Sequence, residues 1–418
     1  MRIKCLPTDF QVDEILSLEP TGGKYALYEL RKTSITTFSA VDRVARAWRI
    51  PREELVFAGL KDKHACTTQG LSIFEGPRKN LSIDGLEVRY VGQTPRAIHP
   101  RDIVCNEFLV IVRDLSDADL ARSVAAVREV NEFGLPNYFD KQRFGSLGES
   151  GEFVAKAWCQ GDHERALFLA VADPNSHDSP SDREQKQILR EHWGNFGEAV
   201  DLLPMGLSLQ IAEQLAIGKP DYKRALTMLK HDLRSLLLSA YQSDIWNRLL
   251  SSVIRDVVPA SILFEETIGP RRLAMFHTLD PKSQRELQDL MLPLPSARLH
   301  LPPGPLYDRL AEVLAEDGMT LRELRVKYPR DTFFSKGDRA AIVRADELEA
   351  IPEADERYPG KQKLLLSFSL RRASYATMLV KRITALEMPL ASESDETQSG
   401  ESPDDDFSSR ESSDNPSE

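Results

Sequence analysis

The sequence predicts an α+β fold in which a mixed or antiparallel sheet domain is interrupted by a mainly helical insertion. Three observations carry this. Residues 1–151 mix short strand patterns with helix patterns, residues 152–331 read almost wholly as helices, and strand patterns return only after residue 332. Such a mixture suggests an α+β or mixed-sheet domain, and late strands that come back to complete the first sheet explain the order. The expected organisation is a discontinuous domain of residues 1–151 with 332–388, an insertion over 152–331 and a tail over 389–418. Two sequential domains are the alternative arrangement.

Taken in order, residues 12–18 and 25–31 read as strands joined through Pro20 to Gly23, with partial alternation. Phe38, Val41, Val44, Ala45 and Trp48 recur close to a 3.6-residue period and predict a helix over 37–48. Pro51 is expected to open a second short helix that stops before Gly59. Strands follow over 71–74, 86–91 and 108–112, the last an unbroken apolar run from Phe108 to Val112. Ser116 is placed to cap a helix over 118–132, with Asp119 in its first turn. In the insertion, helices are expected over 153–160, 164–170, 182–192, 222–231 and 233–250, with a loop over 174–180. Prolines limit regular structure over 292–305. The late strands are expected over 340–344 and 364–370, and a last helix over 375–383.

Composition excludes several classes. Of 418 residues, 41% are hydrophobic and 28% charged, which is ordinary for a soluble protein with a sizeable core. No apolar run approaches the ~20 residues that span a bilayer, and the start lacks a signal-peptide pattern, so a cytoplasmic protein without membrane contact is expected. Cys5, Cys66, Cys105 and Cys159 lie far apart, unlike a zinc knuckle or disulfide framework. No dimer seam is evident, so a monomer is expected. The formal charge of −11 argues against a nucleic-acid partner only until its distribution is seen. Residues 391–418 hold ten acids and one arginine, leaving −2 for residues 1–390. That acidic Ser-rich tail is too poor in apolar residues for a core and reads as disordered. Any basic face must come from uneven placement of charge.

The run 57–69, FAGLKDKHACTTQ, sets Asp62 among Gly59, Lys61, Lys63 and His64. Gly59 permits a sharp turn or close approach, and the flanking cations favour an ionised carboxylate or draw in phosphate. A solvated turn that happens to hold an Asp is the competing reading. A second run, 131–145, NEFGLPNYFDKQRFG, brings Asn137, Gln142 and Arg143, types that read base edges and phosphates, next to Phe139 and Phe144. An aromatic ring there either stacks on an unpaired base or fills the core. Arg371 and Arg372 form a basic pair at a strand-to-helix junction, suited to phosphate. Lys4, near the chain start, reads as a surface charge, and Arg43, Arg46, Arg49 and Arg52 are candidates for a basic stripe with Lys61 and Lys63. There is no GxGxxG, Walker A, HExxH or GxSxG motif, and the histidines are scattered. The expectation is therefore aspartate-centred chemistry with no metal and no cofactor.

Four blocks, IKCLPTDFQVDE, FAGLKDKHACTTQ, PNYFDKQRFG and LSFSLRRASYATMLVKRI, closely resemble in content and order the TruD family of tRNA pseudouridine synthases, over residues 1 to about 388. The resemblance implies a pseudouridine-synthase-like catalytic domain carrying the family's own inserted domain, which helps to hold RNA. It implies that a uridine in tRNA, position 13 of the D arm, is isomerised to pseudouridine without a cofactor, while some relatives act on other structured RNAs. It places the catalytic aspartate on Asp62, either as a nucleophile or as the base that takes the 2′ proton. It places the uracil-stacking aromatic on Phe139, an amide that holds the aspartate loop or substrate on Asn137, and a basic residue near the active site on Lys4. Lys61, Lys63, Gln142, Arg143, Arg371 and Arg372 complete the expected RNA-contacting set. Asp140 stands where the family more often has glycine, and an acid beside the pocket either repels phosphate, narrows the loop or simply points to solvent. The other function class is a non-catalytic RNA-binding protein or tRNA chaperone, which would bind tightly and form no product.

Overall fold

The computed structural model describes residues 1–385, so the acidic tail and the last residues of the expected discontinuous domain lie outside the described residues. Ten strands form one sheet. Eight come from the start of the chain: β1 (Arg2–Ile3), β2 (Phe10–Leu16), β3 (Tyr25–Thr33), β4 (Leu55–Phe57), β5 (Cys66–Phe74), β6 (Leu81–Ile83), β7 (Leu86–Thr94) and β8 (Ile103–Leu115). Two late strands, Asp346–Ala354 and Gln362–Arg371, complete it. Across the sheet the order is Asp346–Ala354, Gln362–Arg371, β8, β2, β5, β3, β7, β6, with β1 also on β8 and β4 also on β5. Every pairing is antiparallel except β2 with β5, which run parallel with Gln11 opposite Cys66 and Asp13 opposite Thr68.

The helices cover the sheet as their periodicity dictates. α1 (Thr37–Trp48) begins where the Thr36 hydroxyl accepts from the Ser39 N–H, and it buries Ala40, Val41 and Val44 against Ala26, Tyr28, Leu30, Leu71 and Ile73. α2 (Asp117–Phe133) starts with a reciprocal cap between Ser116 and Asp119 and packs beside the last helix, Ala376–Thr384. The mainly helical region is built around the 27-residue helix His231–Val257, which is buried on nearly every side, taking polar Gln242, Asp244, Asn247 and Arg248 inside along with Leu237, Tyr241, Ile245, Trp246 and Leu249. Among the described residues no helix is long and apolar enough to cross a membrane.

Several expectations need correction. The helix expected after Pro51 is one turn, Arg52–Glu54, followed at once by β4, whose Leu55 and Phe57 pair with Ile73 and Leu71. β5 starts five residues earlier than the apolar pattern indicated, because the polar run from Cys66 to Gly70 lies inside the sheet. The strand expected over 340–344 is two short bridges that do not join the main sheet: Asp338–Ala340 pairs with Met291–Pro293, and Ile342–Val343 with Leu135–Pro136. The inserted region is not free of strands, for Leu263–Ile268 and Arg271–Phe276 form a hairpin whose two-residue turn contains Gly269 at φ +61°.

Candidate active site

Asp62 sits in the loop that carries the chain from β4 back into β5, and side chains hold that loop from below. The Gln69 side-chain amide donates to the Gly59 carbonyl (2.9 Å), the Thr37 hydroxyl donates to the other end of Gln69 (3.0 Å), and the Lys61 N–H donates to Thr37 (3.0 Å). The Lys32 ammonium donates to the Asp62 carbonyl at 2.7 Å. Lys32 is fully buried because it occupies the inward register of β3, in step with Ala26, Tyr28 and Leu30. Gly59, in contrast, has no positive φ, and a Cβ there would meet only ordinary contacts from 3.6 Å outward. Anchoring side chains, rather than glycine geometry, fix this turn.

The carboxylate itself is 26% exposed. One oxygen accepts from the His64 N–H (2.9 Å), and the other is ion-paired with the Lys4 ammonium. Burial is the largest single influence and pushes the Asp62 carboxyl upward. The Lys4 bond, the His64 N–H and the charges of both residues together outweigh it and hold the group below the usual carboxylate range. Lys4 reaches Asp62 from a left-handed backbone (φ 57°), an unusual conformation for a lysine, with its ammonium also 4.3 Å from the Phe10 ring centroid. Its neighbourhood is pinned by β1 on β8 and by Asp9, which is buried and accepts three bonds from the Arg113 guanidinium (2.9, 3.0 and 3.1 Å). Arg113 in turn reaches Asp355 (3.0 Å).

The second group assembles around Arg339, a buried residue that no motif flagged. Its guanidinium donates to the Asn137 carbonyl (2.8 Å), the Asn137 side-chain oxygen (2.7 Å) and the Ala373 carbonyl, and lies 4.1 Å from the Phe139 ring centroid. Phe139 is 6% exposed, edge-on to Trp246, with its backbone bonded in both directions to Asn247. Arg339 thus joins the Asn137 and Phe139 segment to the junction that holds Arg371 and Arg372, both exposed. Asp140 does not point to solvent. It is fully buried and accepts from the Thr377 hydroxyl at 2.7 Å.

Residues 1–383 match the family model described as TruD, tRNA pseudouridine synthase D. The chain belongs to the TruD family. Among relatives, the tRNA pseudouridine synthase D of Aquifex aeolicus is 30% identical over 394 residues, covering 92% of this chain and 98% of that one. A Methanocaldococcus jannaschii protein named probable tRNA pseudouridine synthase D 2 is 28% identical, with 91% of each chain covered. A crystal structure from Methanosarcina mazei, titled as a TruD protein, superposes with a TM-score of 0.72 over 92% of this chain and 94% of its own, at 23% identity, and so shares the fold.

Within this TruD chain the predicted site residues divide in two. Lys4 and Asp62 meet directly, and Asn137, Phe139, Arg143 and the Arg371–Arg372 junction gather about Arg339, with the Arg143 guanidinium 5.4 Å from the Phe139 ring. Lys63 and Gln142 are exposed. Lys61 is not open to a ligand. Its ammonium is ion-paired with the buried Glu14 carboxylate and bonded to Asn106 (2.9 Å), while Glu14 also accepts from the Gly70 N–H (3.1 Å). It also falls out of the expected basic stripe, in which Arg52 pairs with Asp42 at 3.0 Å. Sequence reasoning missed Lys32, Glu14 and Arg339 in this TruD site. A lysine in the inward register of a strand was the one available signal.

Burial draws the Lys32 ammonium down to about 8, with the Lys61 charge assisting and the Asp62 charge opposing. The unfolded chain therefore binds this proton more tightly, and stability rises as pH climbs from about 8 towards the ordinary lysine value of 10.5. The stability of Lys32→Met relative to wild type should accordingly fall between about pH 7 and about pH 9.5, as read by urea denaturation at both.

Proposed function

We propose that this chain isomerises uridine 13 in the D arm of tRNA to pseudouridine, with Asp62 as the group on which the reaction depends and with no cofactor. The observation that carries this reading is a carboxylate kept ionised by Lys4 on a loop whose backbone is bonded to Lys32, Thr37 and Gln69. In the reaction the bond from N1 to C1′ breaks, the uracil turns, C5 bonds to C1′, C5 gives up its proton and N1 gains one. No atom is added or removed. An ionised carboxylate serves either route, as nucleophile at C1′ or as base for the 2′ proton. The uridine must first leave its stack, at a cost of a few kcal/mol that is smallest in loops and bulges. Exposed Lys63, Gln142, Arg371 and Arg372 are suited to the surrounding phosphates and bases. Incubation with unmodified tRNA and mapping of pseudouridine tests the reading, and no product at saturating enzyme overturns it.

Lys4 has a measurable role under this proposal. Without its bond and charge, burial is opposed by His64 alone and the Asp62 carboxyl moves up. The ratio of wild-type to Lys4→Met turnover should grow as pH falls from about 8 to about 5, at saturating tRNA. A ratio independent of pH would remove Lys4 from the control of Asp62 ionisation.

For Phe139 to receive the uracil, the Arg339 guanidinium must leave the ring face that it now covers. The packing predicts that Phe139→Ala loses about 3–5 kcal/mol of stability, measured by denaturant unfolding. Intact stability with lost turnover would instead favour a ring that works as a platform.

A further inference from the structure

The inserted region carries a cleft of about 590 Å³ whose walls are residues 296–298, 324–327, 330 and 332–334. The Ala297 N–H donates to the Leu324 carbonyl (2.9 Å), which ties the first two walls together. Arg298, Arg325, Lys327 and Arg330 all line it, all are exposed, and none makes an ion pair among the described residues. Two acids beside these segments already have hydrogen-bond partners, although the Lys327 charge also acts on Glu323. Asp331 is held by both nitrogens of Arg234 (2.7 and 3.0 Å), and Glu323 accepts from the Thr320 N–H and hydroxyl (2.8 Å each).

An aromatic ring completes the cleft. Phe333 is 59% exposed, while its neighbours Thr332 and Phe334 are buried and fix the strand of chain that presents it. The Arg298 guanidinium lies 5.6 Å from its centroid. Just outside, exposed Tyr328 has the Lys223 ammonium at 5.1 Å. Cations that track a backbone, beside rings that offer a face to any base, are the physical requirements for gripping single-stranded nucleic acid.

We propose that this cleft is a second RNA subsite, which binds an unpaired stretch of the substrate's sugar-phosphate chain with Phe333 stacked on a base. The assignment rests on the reading of this chain as a tRNA-modifying enzyme. The subsite adds affinity and does not touch the reacting uridine, so its loss raises KM and leaves kcat alone.

The test uses the full chain and fluorescently labelled tRNA, with affinity followed against KCl concentration. A variant with Arg298, Arg325, Lys327 and Arg330 all changed to Ala is compared with one that removes the same charge elsewhere, at exposed Arg128, Lys219, Lys282 and Arg285. Single strands contribute about 0.7 of slope per phosphate contact, so the cleft variant should show a log–log salt slope shallower by about 2 to 3. At about 0.15 M salt its affinity should fall on the order of 10- to 100-fold and its KM rise in step, with kcat unchanged. Phe333→Ala should weaken poly(U) binding on the order of tenfold and leave heparin binding unaltered. An unchanged slope, or an equal effect in the control variant, overturns the subsite. Loss of heparin binding with tRNA held as before overturns RNA as its occupant. Wild-type protein that binds tRNA with a cleft-dependent slope but forms no pseudouridine supports the subsite and overturns the synthase reading.

Discussion

Asp62→Asn is expected to abolish pseudouridine formation, with a loss on the order of 10⁴-fold or more, while the protein stays folded. The substitution keeps the shape of the side chain and removes the charge that either route requires. Its cost to folding is small by comparison. The ion pair with Lys4 is partly exposed, where such pairs contribute about 0–1 kcal/mol, and an amide oxygen can still accept from the His64 N–H. Product mapping after extended incubation with excess enzyme, paired with a thermal melt, separates the two effects. Full activity in the variant would end the assignment of Asp62.

Arg339→Met is expected to lose about 3–5 kcal/mol of stability and to disorder the segment that bears Asn137 and Phe139. Burial pulls the Arg339 guanidinium down to about 10, still charged at neutral pH. No carboxylate is recorded among its hydrogen-bond partners in the described residues. Carbonyl oxygens, the Asn137 amide and the faces of Phe139, Trp246 and Tyr375 carry the charge instead. Removing the fork strands two buried acceptors on Asn137 and a third at Ala373. Lysine cannot span them, so Arg339→Lys should recover little. Chemical denaturation of both variants measures this, and a fully stable Arg339→Lys protein would refute the fork argument.

Elements with local causes were legible in the sequence. α1 was found with its observed ends because its apolar stripe is regular, and α2 within a residue or so because Ser116 and Asp119 form its cap. β5 was read short because its first half, Cys66 to Gly70, is polar. That half lies between two neighbouring strands at the centre of the sheet, where Thr67 and Gln69 are buried by tertiary context. Asp346–Ala354 was missed altogether, since its acids and Pro352 argue against a strand. It lies at the sheet edge, where an unpaired side tolerates both. The Leu263–Ile268 hairpin carried a readable signal in its Gly-Pro turn, which the surrounding helical patterns obscured.

The site followed the same rule. Asp62 stood out because its neighbours in sequence are unusual, and Arg371 and Arg372 because they are adjacent. Lys32 and Arg339 act on backbone carbonyls that are far away along the chain, and no pattern in one sequence specifies such a bond. Lys4 looked like an ordinary surface charge for the same reason. Its partner is 58 positions away.

The strand Gln362–Arg371, which sets Phe368 opposite Phe108 on β8, has a consequence for how the enzyme comes into being. During synthesis β8 emerges with one edge bare, and the whole helical region must follow before its partner arrives. Pairings between such distant segments form late. The chain start is subject to the same delay, because Arg113, which grips Asp9 near Lys4, also waits for Asp355. A nascent chain on the ribosome can therefore bring its Asp62 loop and β1 on β8 together early, while the Arg113 guanidinium that holds Asp9 gains its last partner, Asp355, only near completion.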